Sequence, residues 1–152
     1  MIRALMLPAV ALALGAGAPA PETLVTHGSS VTVTVTNLRN DHGVVLACMT
    51  ASDKSFPKCR GVAGTKAARV AAHEGNLSLT FEDVKPGRYA IALLHDENGN
   101  GKADRALGMM PKEGFGFSRD APVRMGPPNF SDAVFEMGKT DRTMTIRMRY
   151  ML

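Results

Sequence analysis

The sequence SVTVTVTN, residues 30–37, alternates valine with threonine along a short polar-ended stretch. Successive side chains of a β-strand point to opposite faces, so Val31, Val33 and Val35 fall on one face and the threonines on the other. β-branched residues on both faces favour an extended strand. The stretch therefore predicts a strand whose valine face is buried in a β-structured core.

Further stretches of the same kind lie on the C-terminal side of this strand. They occupy residues 44–49, 77–81, 89–94, 133–137 and 143–150, with a weaker candidate at 68–72. No segment shows a 3.6-residue apolar period of helical length. We therefore predict an all-β, antiparallel β-sandwich of about seven strands, of the transthyretin-like or immunoglobulin-like kind, with a small barrel as the alternative. The core positions predicted from the patterns are Val31, Val33, Val35, Leu46, Leu77, Leu79, Phe81, Tyr89, Ile91, Leu93, Phe135, Ile146 and Met148.

Composition limits the classes of protein that the chain can belong to. Its 152 residues, 45% hydrophobic and 21% charged, fit one folded domain. With no tryptophan, 2 tyrosines and 6 phenylalanines, an aromatic platform for single-stranded nucleic acid is not expected. The formal net charge of +4 comes from scattered basic residues, and no basic run indicates a nucleic-acid partner.

The first 20 residues, MIRALMLPAVALALGAGAPA, have the layout of a secretory signal peptide. Arg3 precedes an apolar run that ends near Leu14 and is shorter than the roughly 20 residues of a membrane-spanning helix. We predict cleavage near residue 20, no transmembrane segment afterwards, and one β-sandwich domain over residues 21–152. The predicted location is periplasmic or secreted. An uncleaved anchor, or an N-terminal helix packed on the domain, is the alternative.

Cys48 and Cys59 enclose a short polar loop. In an oxidising compartment two cysteines usually form one bridge. The spacing is not the C-x-x-C of a redox pair, and nothing nearby would lower a thiol pKa. We therefore predict a structural disulfide, with a redox pair as the alternative.

One segment carries candidate metal chemistry, the sequence DENGNGKAD at residues 96–104. Side-chain oxygens stand at loop positions 1, 3, 5 and 9, a glycine at 6 and a main-chain carbonyl at 7, as at the start of a calcium loop. The predicted ligands are the side chains of Asp96, Asn98, Asn100 and Asp104 and the carbonyl of Lys102. So few carboxylates predict a low affinity, in the ~10⁻⁴–10⁻³ M class.

The 96–104 loop departs from an EF-hand in two ways. Position 12 is Leu107 where an EF-hand has a bidentate glutamate, and the flanking sequence does not predict helices. The missing ligand could come from Glu97, Glu113, Asp83 or water. The alternative is a hairpin turn built on two Asn-Gly pairs, whose polar side chains only meet solvent.

Catalytic patterns are absent from the sequence. The four histidines are scattered, and neither H-E-x-x-H nor G-x-S-x-G occurs. We assign no catalytic residue and expect a non-enzymatic protein, with an envelope protein or a glycan as its partner. The alternative is a carbohydrate-active or other hydrolase that uses Asp96, Asp104, Glu113 or His95.

A glycine- and proline-rich stretch at residues 108–130 holds Phe115, Phe117 and Phe130 and predicts one long loop. The three rings either fold back to cover the end of the sandwich or form an exposed binding surface. Packing is the favoured alternative, because exposed apolar patches are rare on monomers.

Three motifs in this order, HDENGNGKAD at 95–104, PKEGFGFS at 111–118 and GPPNFSDAVF at 126–135, resemble the bacterial exported proteins of domain-of-unknown-function family 2141. The PGRYAI segment at 86–91 is similar to that family's pattern too, and the resemblance covers roughly residues 31–150. It implies an exported or periplasmic β-sandwich of transthyretin-like or carboxypeptidase-regulatory-like type. It implies no activity and no catalytic residues.

Overall fold

A computed structural model describes residues 28–152 of the chain. The predicted signal peptide and its cleavage site lie outside the described residues. The strands are β1 (Ser29–Leu38), β2 (Val44–Thr50), β3 (Lys66–Ala71), β4 (Gly75–Val84), β5 (Gly87–Asp96), β6 (Arg105–Ala106), β7 (Met110–Pro111), β8 (Gly114–Phe117), β9 (Phe135–Met137) and β10 (Arg142–Arg147). A 3₁₀ turn spans Ser118–Asp120, and one short helix, α1, spans Phe130–Ala133.

The strands form two main sheets and one small hairpin. One sheet has the order β10-β1-β4, and the other has the order β3-β2-β5-β8, with β9 also paired to β5. Strands β6 and β7 pair only with each other. One buried cluster contains residues from both main sheets, as expected when two sheets pack face to face. The predicted all-β sandwich is thereby confirmed.

The valine face of β1 lies at the centre of this cluster, with Val31, Val33 and Val35 each 0% exposed. Of the thirteen predicted core positions, only two are not fully buried. Tyr89 is partly buried against the core, whereas Leu46 lies on the opposite face of β2. The prediction for Leu46 is wrong because residues 44–49 are apolar throughout and contain no alternation that identifies the inner face.

Two further features differ from the sequence-based expectation. Strands β1 and β10 run parallel, whereas the remaining strand pairs of the described residues are antiparallel. Period-two alternation is the same for both directions, so it does not encode this choice. In addition, residues 108–130 are not one loop, since β7, β8 and the 3₁₀ turn lie within them.

A second core covers the outer face of the larger sheet. It contains Cys48, Cys59, Ala90, Ala92, Phe115, Phe117, Ala121 and Ala133. Cys48 and Cys59 are joined by a disulfide with an S–S distance of 2.01 Å, which confirms the predicted bridge. The bridge ties β2 to the loop that follows it.

Removing the disulfide should lower stability without changing the fold. The Cys48→Ala/Cys59→Ala variant lacks the bridge between two positions that are 11 residues apart. Because the unfolded chain then has more conformational entropy, the free energy of unfolding should fall by about 3 kcal/mol. For a domain of this size that corresponds to a fall in Tm of roughly 10 °C. Thermal unfolding followed by circular dichroism measures the change. Dithiothreitol should lower the Tm of the wild type but not of the variant, and an equal response of both would contradict the assignment.

Candidate metal centre

The 96–104 loop begins at Asp96, the last residue of β5, which is 1% exposed. The two oxygens of its carboxylate accept hydrogen bonds from the backbone N–H groups of Asn100 (3.1 Å) and Gly101 (2.7 Å). Gly99 and Gly101 have φ of 70° and 77°, which lets the chain turn back over this carboxylate. Asp96 therefore organises the loop from inside.

Asp104 closes the other end of the loop. Its Oδ2 accepts hydrogen bonds from the side-chain amides of Asn98 (2.6 Å) and Asn100 (2.9 Å). The Oδ1 atoms of these asparagines accept the backbone N–H groups of Asn100 and Lys102, at 3.1 and 2.8 Å. Hydrogen bonds thus join the side chains of Asn98, Asn100 and Asp104, and Asp96 is linked to them through the backbone N–H of Asn100. Lys102 takes part through its backbone N–H, whereas the predicted ligand is its carbonyl.

Glu113, which directly precedes β8, contacts the loop from a neighbouring segment. Its Oε2 accepts the backbone N–H of Asp104 at 3.0 Å, and the residue is 4% exposed. Its Oε1 is buried and, among the described residues, has no hydrogen-bond partner. Burial is the main reason that the pKa of Glu113 is raised, and the carboxylates of Asp104 and Asp96 raise it further, while the backbone N–H groups of Asp104 and Glu97 oppose the rise. Glu113 is a buried acceptor with spare capacity beside two other acids.

The other two acids considered for the missing ligand bind elsewhere. The Arg39 guanidinium donates to both oxygens of Glu97, at 2.8 and 2.6 Å, and Asn40 donates to one of them. The hydrogen bond from Arg39 is the main reason that the pKa of Glu97 falls to about 2, against the opposing effect of burial. Asp83 accepts the backbone N–H of Gly28, next to the start of β1.

His95 is completely buried behind the loop. Its Nε2 donates to the carbonyl of His42 at 2.9 Å, and its Nδ1 shares a hydrogen bond with the Tyr150 hydroxyl at 2.7 Å. The Arg39 guanidinium lies 4.4 Å from the centre of the Tyr150 ring. Nothing in the sequence indicates that Arg39 and Tyr150 belong to this region, because the contacts join opposite ends of the described chain.

The donor set of the loop restricts the kind of cation it could hold. Within residues 28–152, no three or more His, Cys, Asp or Glu side chains are placed together as a metal site. A cation in the 96–104 loop would also need amide and main-chain oxygens. These are ligands that Ca²⁺ accepts, whereas Zn²⁺ favours nitrogen and sulfur.

The three phenylalanines of the sequence prediction lie in the second core. Phe115 and Phe117 are 9% and 6% exposed, and Phe130 is partly buried. The ring of Phe56 packs edge-on against Phe117 at 5.8 Å and against Phe130 at 6.0 Å. Their position corresponds to the packing alternative, and of the three only Phe130 keeps a partly exposed ring.

The described residues form an all-β domain of the two-sheet sandwich class. A second core covers the outer face of one sheet, and an oxygen-rich loop lies at one end. The chain belongs to the bacterial family DUF2141, described as uncharacterized protein conserved in bacteria, which matches residues 33–145. The match includes the 96–104 loop and Glu113, and it confirms the resemblance seen in the motifs. No curated protein and no solved structure matches the chain. In the described part of the chain, no helix is both long enough and apolar enough to cross a membrane.

Proposed function

We propose that this is an exported, non-enzymatic β-sandwich protein whose 96–104 loop binds calcium with low affinity. The observation that carries the proposal is Oε1 of Glu113, a buried acceptor without a hydrogen-bond partner in the described structure, beside Asp104 and Asp96. The carboxylates of Asp104 and Asp96 both raise the pKa of Glu113, which is the sign of repulsion between like charges, and a cation bound near Glu113 would relieve it.

The residues at this position fit Ca²⁺ by their chemistry. Ca²⁺ takes roughly 6–8 oxygen ligands and accepts carboxylates, amides and backbone carbonyls together. The proposed ligands are the carboxylates of Asp96, Asp104 and Glu113, the amide oxygens of Asn98 and Asn100, and the carbonyl of Lys102. In the structure both asparagines turn their amide nitrogens toward Asp104. Coordination through the oxygens would require both amides to rotate, which supports a low affinity.

Export is supported by the disulfide and by the leader-like sequence of the first 20 residues. Buried, bridged cysteines are typical of oxidising compartments, so we propose a periplasmic or extracellular location. The non-enzymatic assignment is supported by the burial of His95 and Asp96, which are 0% and 1% exposed. Both use their polar atoms within the fold and do not face a substrate. We propose an envelope protein or glycan as the partner.

Calcium should raise the thermal stability of the wild type. A ligand that binds only the folded state stabilises it by mass action, by about 1.4–2.7 kcal/mol at about 10 mM calcium for affinities in the proposed class. This corresponds to a rise in Tm of roughly 5–10 °C over the value in chelator. Differential scanning calorimetry with calcium, magnesium and chelator measures it. Equal Tm values in calcium and chelator would contradict the proposal.

The variant Glu113→Gln distinguishes a role of Glu113 as a metal ligand from a purely structural role. In chelator the variant should be at least as stable as the wild type, because it removes a buried charge next to two carboxylates. In calcium it should lose most of the rise in Tm. Glu82→Gln, an exposed substitution in β4, is the matched control and should keep the full calcium response. Asp96→Ala is less informative, since Asp96 also holds the loop by backbone hydrogen bonds.

A further inference from the structure

We propose that the β6–β7 hairpin, residues 105–111, docks on an anionic lipid surface. The hairpin follows the 96–104 loop, but the proposal does not depend on calcium. Its side chains at the tip are apolar and exposed: Leu107 is 93% exposed, Met109 77% and Met110 38%. Three neighbouring apolar side chains turned to solvent on one narrow hairpin are typical of an interaction site.

The hairpin presents this tip from a fixed base. Ala106 pairs with Met110, so residues 107–109 form the connection between the two strands. At the base, the backbone N–H of Lys112 donates to the carbonyl of Asp104 at 3.0 Å. The Asp104 N–H in turn donates to the buried Glu113. The exposed tip is therefore attached to well-packed residues.

The backbone conformation at the tip is also energetically unfavourable for a leucine. Leu107 has φ of 50°, a left-handed conformation that glycine or asparagine adopts more easily than leucine. A leucine here gains nothing from packing in the fold, because almost its whole surface is exposed. An apolar side chain at a strained and exposed position is explained by contact with an external apolar phase.

The charged residues near the tip indicate which kind of surface the hairpin binds. Lys102, Arg105 and Lys112 are exposed, and none of the three forms a salt bridge with another described residue. The acids next to the hairpin in sequence, Asp104 and Glu113, are half-buried and buried, so the exposed charged side chains of residues 98–112 are all basic. Exposed apolar side chains on a hairpin that is flanked in sequence by exposed basic residues complement a bilayer with anionic headgroups, where the tip enters the interface and the basic groups contact phosphates.

A matched control position lies at the other end of the sandwich. Met125 is fully exposed and belongs to a different loop. Its neighbours Pro127 and Pro128 line a depression together with Arg88, which is near the start of β5. The hairpin follows the end of β5, so we expect a membrane that contacts Leu107 to leave Met125 in solvent.

The chain has no tryptophan, so a single introduced tryptophan reports on one position. Leu107→Trp and Met125→Trp are mixed, in chelator, with vesicles of equal parts phosphatidylglycerol and phosphatidylcholine, or with phosphatidylcholine alone. The emission of Leu107→Trp should shift to the blue with anionic vesicles only and recover at high salt. The emission of Met125→Trp should stay unchanged. This design also separates hairpin docking from binding by the apolar N-terminal segment.

Charge variants in the Leu107→Trp chain test the role of the basic side chains. Arg105→Gln and Lys112→Gln should each weaken vesicle affinity about fivefold. Lys139→Gln, an exposed lysine between β9 and β10, should leave it unchanged. An unshifted Leu107→Trp, or an equal shift with neutral vesicles, would overturn the proposal. So would a blue shift that grows with protein concentration in the absence of vesicles, since the occupant would then be a second copy of the chain. Because all arms are run in chelator, failure here does not affect the calcium proposal.

Discussion

Gly43→Ala should destabilise the protein by about 4 kcal/mol or more, a large fraction of the roughly 5–15 kcal/mol by which folded domains are stable. Gly43 has φ of 66° immediately before β2. A Cβ there would fall on the carbonyl oxygen of Asp96 and within 2.8 Å of the backbone of Glu97. Backbone atoms cannot move aside as a flexible side chain can, because Val44 and Asp96 are paired in the β2–β5 ladder.

Gly64→Ala is the matched control for this substitution. Gly64 also has a positive φ, 79°, but a Cβ added there would have no heavy atom within 4 Å beyond its own chain neighbours. The substitution should therefore cost only the left-handed conformation, about 1 kcal/mol. Urea unfolding of both variants gives the two free energies. Equal losses would mean that the close approach of Gly43 to Asp96 does not constrain the fold.

The fold was predictable where alternation specifies which residues share a face. The valines of β1 and the alternating residues of β4 are buried as predicted. The sequence pattern did not predict two features. The apolar run of β2 does not show whether Leu46 or Val45 faces the core, and alternation is the same for a parallel and an antiparallel partner of β1. These choices are made by packing between distant segments.

In the candidate metal centre, local contacts were predictable from the sequence and long-range contacts were not. Contacts within the 96–104 loop are local, so residue spacing was enough to indicate that Asp96 and Asp104 lie in one hydrogen-bonded loop, where both accept hydrogen bonds from Asn100. The choice of Glu113 among the candidate acids depends on the pairing of β5 with β8, which sets His95 opposite Gly114. The role of Arg39 could not be predicted for the same reason, since 58 positions separate it from Glu97.

Ile146→Ala should lower the free energy of unfolding by about 3–4 kcal/mol, and the Tm by more than about 10 °C. Ile146 is 0% exposed and belongs to β10, at the edge of the smaller sheet. A Cβ at Gly116, in β8 of the larger sheet, would lie 2.9 Å from its Cγ2, so the β8 backbone rests against this side chain. The β8 backbone on one side and packed strands on the other limit how far the surrounding atoms can move into the space left by the side chain. The alanine variant should therefore contain a cavity between the sheets.

Graded variants distinguish this packing role from a general sensitivity of β10. Ile146→Val removes one methylene and should cost about 1 kcal/mol, whereas the exposed neighbour substitution Thr145→Ala should change stability by less than about 0.5 kcal/mol. Urea unfolding of the three variants at constant m-value measures the series. If Ile146→Ala costs no more than Thr145→Ala, β10 does not hold the two sheets together. A graded loss instead makes the contact between Ile146 and Gly116 a point where the parallel edge strand is fixed to the sheet that carries the 96–104 loop.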